Sequence, residues 1–194
     1  MILVSDDFTR ADANDLGANW TAVLGTAGIV SNQCGPKTFD VNGQSVQRYS
    51  AVTWPADQFS EITLIDNAVS SGAQGPAVRY ADSADTGYVC FCNNTSGTNL
   101  AKKIAGVFTG LATLPAFNSG DVVRLAIRGT ELTVYRNGIV VATATDSAIA
   151  SGSASLNCGI ATARLTDNWY GGSVDGIDSA NIAQSVGRYI GWIR

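Results

Sequence analysis

Histidine is absent from the 194 residues of this chain, and glutamate occurs only at Glu61 and Glu131. The lack of histidine excludes Ser-His-Asp and Cys-His triads, a histidine general base and every histidine-ligated metal site. The nearest pair of carboxylates on one predicted strand is Glu61 and Asp66. Their odd spacing places them on opposite faces, where they do not flank one glycosidic bond. The sequence therefore predicts a protein that is not an enzyme.

Basic clusters and long apolar runs are also scarce. The formal net charge is −4, the pI is about 4.6, and Lys102-Lys103 is the only adjacent basic pair. Nucleic acid as a partner is excluded, because a phosphate-binding face needs a basic patch. No stretch approaches the length of a membrane span, and the N-terminus lacks the regions of a signal peptide. Either the sequence is that of a mature or trimmed form, or the protein is made in a cytoplasm and leaves by another route, of which assembly into a virus particle is one.

Four cysteines are present, at Cys34, Cys90, Cys92 and Cys158. Their spacing does not match the Cys-x-x-Cys of a zinc knuckle. We predict buried free thiols that act as small apolar residues. An all-thiolate zinc site and disulfides, the latter in an extracellular setting, stand as alternatives.

Strand patterns dominate what the chain does contain. Residues 121–145 alternate apolar and polar side chains and include Asn137-Gly138, which predicts a three-stranded antiparallel meander. Many further short strands, separated by turn residues, predict an all-β antiparallel sandwich or jelly roll. One helical turn is predicted within residues 9–20 and a short helix within residues 178–190. A domain boundary near Gly176 separates a sandwich domain, residues 1–176, from a C-terminal tail, residues 177–194.

Three blocks support a comparison with a known family, at Asp6–Trp20, Gly120–Thr143 and Gly159–Val174. In this order they resemble the concanavalin A-like lectin/glucanase superfamily in its laminin G-like branch, whose domains recur in bacteriophage particle proteins and bacterial surface proteins. The resemblance implies a concanavalin A-like jelly roll whose first and last strands lie side by side. It also implies that Trp169 is a core residue near Phe8 and Trp20. The glycosidases of this superfamily carry a Glu-x-Asp-x-x-Glu type motif, which this chain lacks.

The resemblance further implies a structural calcium ion at the edge where the first and last strands meet. Asp7 and Asp167 are the expected carboxylate ligands, with backbone carbonyls from the loop at residues 32–37 or the loop at residues 40–44. The alternative is that both aspartates only cap turns.

Aromatic and amide side chains supply candidates for a glycan-binding site. Rings stack on sugar faces and polar groups fix hydroxyls, and the candidates are Tyr49, Trp54, Tyr80, Tyr88 and Asn94. The alternative for each aromatic residue is a place in the core, because aromatic residues in strands usually pack there.

The C-terminal tail carries a second group of candidates. It is apolar and aromatic, and interface hot spots are enriched in such types; the expected docking residues are Arg188, Tyr189, Ile190, Trp192 and Ile193.

These features lead to three functional hypotheses. The first is a non-catalytic structural or accessory protein of a phage-like virion, of the decoration or fibre type, whose partners are capsid or tail subunits and copies of itself. Its expected location is the virion or an extracellular surface. The alternative is a carbohydrate-binding adhesin or receptor-recognition lectin module that binds cell-surface glycans. A glycan-active hydrolase or lyase is the third.

Overall fold

The computed structural model describes residues 1–40, 43–66, 74–95, 98–159 and 165–174. The regular elements of this part of the chain are β-strands. In chain order they are β1 Leu3–Asp6, β2 Trp20–Leu24, β3 Thr26–Val30, β4 Gln33–Thr38, β5 Val46–Tyr49, β6 Gln58–Leu64, β7 Gly75–Tyr80, β8 Gly87–Cys90, β9 Thr98–Ile104, β10 Val107–Leu114, β11 Val122–Arg128, β12 Glu131–Arg136, β13 Ile139–Thr145, β14 Ser153–Asn157 and β15 Thr166–Ser173. Across the described ranges, no helix has the length and hydropathy that a membrane crossing needs.

The strands form two antiparallel sheets. The eight-stranded sheet has the order β13-β12-β11-β6-β15-β4-β3, and β1 pairs with β15 beside this path. The seven-stranded sheet has the order β10-β9-β8-β7-β14-β5-β2. The predicted all-β sandwich is therefore confirmed. Neighbouring strands within each sheet are often far apart in sequence, as expected of a jelly roll.

The predicted meander is also confirmed. β11 pairs with β12 and β12 pairs with β13, both antiparallel. The turn between β12 and β13 contains Asn137 at φ 52° and Gly138 at φ 80°, the left-handed pair that this hairpin type requires. The Asn137 side chain completes the turn, since its Oδ1 accepts a hydrogen bond from Val122 N at 2.8 Å.

Trp169 stands at the centre of the core, as the family resemblance implies. Its side chain is fully buried, with ring centroids 4.7 Å from Trp20 and 5.0 Å from Tyr49. Its Nε1 donates to Ser60 Oγ at 3.0 Å, and Ser60 Oγ donates to the Ser155 carbonyl at 2.6 Å. Ser60 lies on β6 and Ser155 on β14, so this chain of hydrogen bonds joins the two sheets.

The first and last strands lie side by side. β1 pairs with β15 from Leu3 opposite Gly172 to Asp6 opposite Trp169. A Cβ atom at Gly171 would lie 2.6 Å from the Trp169 ring and 2.7 Å from the Trp54 ring. β15 therefore needs glycine here, because no side chain fits between the strand and the rings.

The helical turn predicted within residues 9–20 is wrong. Asp15 Oδ1 in this segment accepts a hydrogen bond from Gly17 N, and Asp7 Oδ1 just before the segment accepts one from Thr9 N. Such bonds favour turns over a helix. The boundary near Gly176, the tail at residues 177–194, its predicted helix and its docking residues lie outside the described residues.

All four cysteines are buried free thiols, as predicted. Within the described ranges, no group of three or more His, Cys, Asp or Glu side chains is arranged to hold a metal ion. The all-thiolate zinc alternative therefore finds no support there.

Candidate functional site

Tyr80 and Tyr88 do not form a sugar-binding surface, which corrects the sequence prediction. Both side chains are fully buried. They lie on the neighbouring strands β7 and β8, and each packs in a different apolar cluster. Tyr80 donates its phenol hydrogen to Asp85, and Tyr88 donates to Asp146 Oδ1 at 2.8 Å. Burial, followed by the Asp146 carboxylate, raises the pKa of Tyr88 to about 12. Both tyrosines stabilise the fold and present no ring face to solvent.

Tyr49 is also a core residue, and this corrects a further prediction. Its ring stacks on Trp169 and is 7% exposed. Trp54 is half-buried, and its Nε1 donates to the Tyr49 carbonyl at 2.7 Å, which makes it a cover over the aromatic cluster. Asn94 is exposed in the loop between β8 and β9. Of the five candidates, the structure brings Tyr49 and Trp54 into contact, with Tyr49 in the core and Trp54 covering it.

An open cleft lies elsewhere, at the junction of the first and last strands. Its volume is about 570 Å³. The end of β1 and the turn that follows form one side, the segment before β2 forms the other, and β15 contributes one ring. The lining residues are Ser5, Asp6, Asp7, Arg10, Leu16, Gly17, Ala18, Asn19 and Tyr170.

Asp6 organises this cleft. Arg10 Nη1 and Nη2 donate to its two carboxylate oxygens at 2.7 and 3.1 Å, and Trp20 Nε1 donates to Oδ2 at 2.8 Å. Burial acts to raise the pKa of Asp6, but the hydrogen bonds from Arg10, Trp20 and the Phe8 N–H outweigh it and lower the pKa overall. The carboxylate is thus ionised, and it fixes the turn in which buried Phe8 adopts φ 54°.

Arg10 is the fixed cation of the cleft. Besides the two bonds to Asp6, its Nη2 donates to the Leu16 carbonyl at 2.8 Å, which ties the two sides of the cleft together. Its side chain is 37% exposed, so part of the guanidinium group faces solvent. Held by three acceptor atoms, it needs little reorganisation to meet a ligand oxygen.

Asp7 and Asp167 lie within electrostatic reach of each other. Burial raises the pKa of Asp167, the Asn168 N–H opposes this, and the charges of Asp7 and Asp6 raise it further. Asp7 caps a turn, since its Oδ1 accepts from Thr9 N at 3.0 Å, whereas Asp167 lies within β15 and its Oδ1 accepts from the adjacent Asn168 N at 2.8 Å. The turn-capping role is therefore observed for Asp7, and the calcium ion stays a prediction.

The two loops that were expected to provide carbonyl ligands lie in different places. Cys34, within residues 32–37, pairs with Thr166 directly before Asp167. In the second loop, Gln44 Oε1 accepts a hydrogen bond from Lys103 Nζ on β9 of the other sheet at 2.6 Å. Residues 41 and 42 of this loop lie outside the described residues, and its carbonyls as calcium ligands stay a prediction.

A row of side chains continues from the cleft across the outer face of the eight-stranded sheet. Direct register pairs link Ser5 to Tyr170, Tyr170 to Glu61, Glu61 to Arg124 and Arg124 to Tyr135. Directly paired residues share a face, and with strands about 4.8 Å apart the two tyrosines are separated by roughly 14 Å.

Glu61 is held in an ion pair within this row. Arg124 Nε donates to its Oε2 at 2.8 Å, and the guanidinium carbon lies 4.4 Å from the centre of the Phe59 ring. Glu61 is 8% exposed and Arg124 6%. The surface at this point is therefore formed mainly by the flanking residues Tyr170 and Tyr135, which are half-buried.

Four lining residues of the cleft were not predicted from the sequence: Asp6, Arg10, Asn19 and Tyr170. One signal was available for Tyr170, because it alternates with the core residue Trp169 and must point to the opposite face. A second signal, for Asp6 and Arg10, was the four-residue spacing between these two opposite charges. The contributions of Leu16 to Asn19 depend on how the long segment before β2 folds, which no local pattern reveals.

No protein-family model and no curated protein sequence matches the chain. Solved structures do match. The carbohydrate-binding module CBM66 from Bacillus subtilis has a TM-score of 0.60 at 20% identity, over 79% of this chain and 94% of that one. Domain 4 of AbnA, a GH43 extracellular arabinanase from Geobacillus stearothermophilus, in complex with arabinotriose, has a TM-score of 0.51 at 13% identity, over 94% and 86%.

An enzyme of the same fold is among the similar structures. The Crh5 transglycosylase has a TM-score of 0.53 at 12% identity, over 94% of this chain and 91% of that one. Identities this low show the shared fold and leave activity open. The sheet order, the paired first and last strands and these similarities together give the chain the concanavalin A-like jelly-roll fold.

Proposed function

We propose that this protein is a non-catalytic carbohydrate-binding module and that the cleft beside β1 and β15 binds the sugar. The observation that carries the proposal is the cleft itself, in which a fixed guanidinium, an exposed carboxylate and a tyrosine ring line about 570 Å³. This is a concave site with a few convergent polar groups, the usual form of a small-molecule site.

The lining groups suit a polyhydroxylated ligand. Arg10 donates hydrogen bonds, Asp7 accepts them, and each sugar hydroxyl can do both. Hydrogen bonds to charged groups are stronger than those between neutral partners. Tyr170 adds an apolar ring edge or face against which sugar C–H groups pack. The row that runs on to Tyr135 extends this surface in one direction, which favours a glycan chain over a single sugar.

The similar structures support this proposal at the level of ligand class. One is named as a carbohydrate-binding module, and another was solved in complex with arabinotriose. The comparisons therefore favour the carbohydrate-binding hypothesis over the particle-subunit hypothesis. The non-catalytic part of the proposal rests on the absence of histidine and on the scarcity of glutamate, since Glu61 is one of only two glutamates and is held in an ion pair by Arg124.

A glycan array with matched aspartate variants tests the cleft. Asp7 and Asp12 are both exposed, lie five residues apart and cap one backbone N–H each, but only Asp7 lines the cleft. We expect wild-type protein and Asp12→Asn to bind the same glycans, and Asp7→Asn to bind them about tenfold more weakly. A blank array, or equal binding by all three proteins, would overturn the proposed site.

A second measurement separates binding from catalysis. Every glycan that the array identifies is incubated with the protein, and the products are resolved by chromatography. We expect the glycans to be recovered unchanged. Time-dependent shortening or transfer would favour the hydrolase or lyase hypothesis instead.

Self-association in a structural subunit is the second candidate function, and one observation favours it. The edge strands β10 and β13 contact each other and expose Val107 (68%) and Ile139 (70%), together with Phe108 and Val140. Neither strand contains a charged residue, although charges are what usually protect exposed sheet edges. A second copy of the chain fits this uncharged edge without like-charge repulsion. Virion partners and a virion location remain predictions from sequence.

Sedimentation velocity tests this second candidate. We expect a dimer for the wild type and a monomer for Ile139→Lys, because lysine introduces a charge on the exposed edge. Monomers for both proteins would remove the support that the edge gives to a structural role.

Calcium bound by Asp7 and Asp167 also stays a proposal. The described residues supply only these two carboxylates near the edge, since both oxygens of Asp6 are engaged by Arg10 and Trp20. Calcium takes six to eight oxygen ligands in all, so carbonyls and water would need to supply those that the two carboxylates do not. If the site is real, calcium raises the melting temperature of the wild type and leaves that of Asp167→Asn unchanged.

A further inference from the structure

Two of the four thiols are in contact across the sandwich. Cys34 Sγ lies 3.4 Å from Cys158 Sγ, although the two residues are 124 positions apart in sequence. Cys34 is on β4 of the eight-stranded sheet, and Cys158 directly follows β14 of the seven-stranded sheet. Their exposures are 0% and 1%, so the contact lies inside the core.

The backbone holds both cysteines in place. Cys34 pairs with Ile29 on one side and with Thr166 on the other. Cys158 N donates to the Ser45 carbonyl at 2.8 Å. Because both Cα positions are fixed by hydrogen bonds, the sulfur atoms stay neighbours, and a bond between them needs only a small movement of the side chains.

We propose that Cys34 and Cys158 form a disulfide that links the two sheets when the chain folds in the presence of a disulfide oxidant. One thiolate attacks a sulfur of the oxidant and releases the first thiol of that oxidant. The second thiolate attacks the mixed disulfide and releases the other thiol. The protein loses two electrons and two protons, and one oxidant disulfide becomes two thiols.

Burial decides when this reaction takes place. It raises the pKa of Cys158, and the adjacent Cys34 thiol raises it further, so Cys158 presents little thiolate in the folded protein. A bulky oxidant also has no path to sulfur atoms that are fully covered. The bond therefore forms during folding, before the sheets close, and is protected afterwards.

The bond would constrain most of the chain. It closes a loop that includes every strand from β4 to β14, and long loops give the largest loss of unfolded-state entropy. It also lies beside β15, because Cys34 pairs with Thr166, the first residue of that strand. The proposal does not depend on the carbohydrate-binding function.

Oxidative refolding followed by mass spectrometry tests the proposed Cys34–Cys158 disulfide. The chain is refolded from denaturant with oxidised and reduced glutathione, free thiols are alkylated under denaturing conditions, and a non-reducing digest is mapped. We expect one peptide pair that links Cys34 to Cys158, with Cys90 and Cys92 alkylated. Four alkylated cysteines, or a link through Cys90 or Cys92, would overturn the proposal.

Variants provide the control. Cys90→Ser is expected to keep the link, whereas Cys34→Ser and Cys158→Ser each leave three alkylated cysteines. Oxidised wild-type protein should melt at a higher temperature than the same protein refolded with a reductant, and Cys158→Ser should show no such difference. Equal melting temperatures of the linked and reduced wild type would contradict a stabilising role of the disulfide. Whether the disulfide forms is decided by the peptide digest.

Discussion

At the scale of single residues, three partly buried carboxylates hold turns and tyrosine side chains in place through hydrogen bonds. Asp6 holds the turn after β1, Asp85 accepts from Tyr80, and Asp146 accepts from Tyr88. The hydrogen bonds that Asp6 and Asp146 accept lower the pKa of each carboxyl below its usual value despite burial, so the contribution of these two residues to stability depends on pH.

Asp146 permits a direct test of this dependence. Burial acts to raise its pKa, but hydrogen bonds from Lys102, the Ala148 N–H and Tyr88 lower it overall. A lowered folded-state pKa gives stability that is complete above the ordinary value of 3.8 and is lost as the pH falls through the folded-state value. We expect Asp146→Asn to reduce the free energy of unfolding by about 1–2 kcal/mol at pH 7. Urea titrations of both proteins from pH 7 to pH 3 should show this difference shrinking, and a difference that grows on acidification would contradict the assignment.

Residue roles were the part that the sequence predicted least well. Tyr49, Tyr80 and Tyr88 were expected at a sugar site because aromatic rings stack on sugar faces, and the alternative, a place in the core, is what the structure shows. Alternation separates two faces but does not say whether the outward face is covered, and Tyr80 is buried in an outer cluster with Val46 and Val89. Arg10 was missed because its partners, Asp6 and the Leu16 carbonyl, meet only after the segment before β2 has folded back.

At the scale of elements, β15 is the strand on which the fold and the site both depend. It pairs with β6 on one side and with β1 and β4 on the other. It places Trp169 in the core and Tyr170 in the cleft. The sequence predicted this strand well, because the family resemblance and the alternation around Trp169 agree.

Gly171 tests the packing of β15. A Cβ atom there would lie 2.6 Å from the fully buried Trp169 ring, which cannot withdraw from the core, and 2.7 Å from the Trp54 ring that covers it. We expect Gly171→Ala to lower the free energy of unfolding by about 1–3 kcal/mol, the usual cost of overpacking.

Gly110→Ala on β10 is the matched control. There the nearest atom to the added Cβ is Asn99 Oδ1 at 3.1 Å, part of a side chain at the sheet edge. Its effect should stay within about 0.5 kcal/mol. If chemical denaturation finds the two variants equally stable, β15 is not packed as described.

At the scale of the whole molecule, hydrogen bonds through Ser60 couple the two sheets. Ser60 Oγ accepts from Trp169 Nε1 and donates to the Ser155 carbonyl, and all three groups are buried. Removal of the hydroxyl leaves an indole N–H and a carbonyl without this partner in the core. We expect Ser60→Ala to cost about 2–3 kcal/mol of unfolding free energy.

Ser155→Ala serves as the comparison for Ser60→Ala. Its hydroxyl is equally buried but donates to Ser153 within the same strand, so it does not join the sheets. We expect a cost of about 1 kcal/mol. A larger loss for Ser155→Ala than for Ser60→Ala, measured by thermal and urea unfolding, would show that the coupling between the sheets lies elsewhere.

The architecture itself was predictable to a large extent. Antiparallel strands, the meander over residues 121–145 and the pairing of the first and last strands follow from alternation, turn residues and the family resemblance. The order of the remaining strands does not, because pairs such as β6–β15 and β7–β14 join segments about 80–110 residues apart. The cleft depends on those distant pairs, so its position became visible only in the structure.

The central claim is that the cleft beside β1 and β15 binds a glycan, and isothermal titration calorimetry tests it most directly. The ligand is the strongest glycan from the array, and the proteins are the wild type, Tyr170→Ala and Phe108→Ala. Both variants remove one partly exposed ring, but only Tyr170 lines the cleft. We predict that Tyr170→Ala weakens binding about tenfold, while Phe108→Ala binds like the wild type. Undiminished binding by Tyr170→Ala would contradict the account.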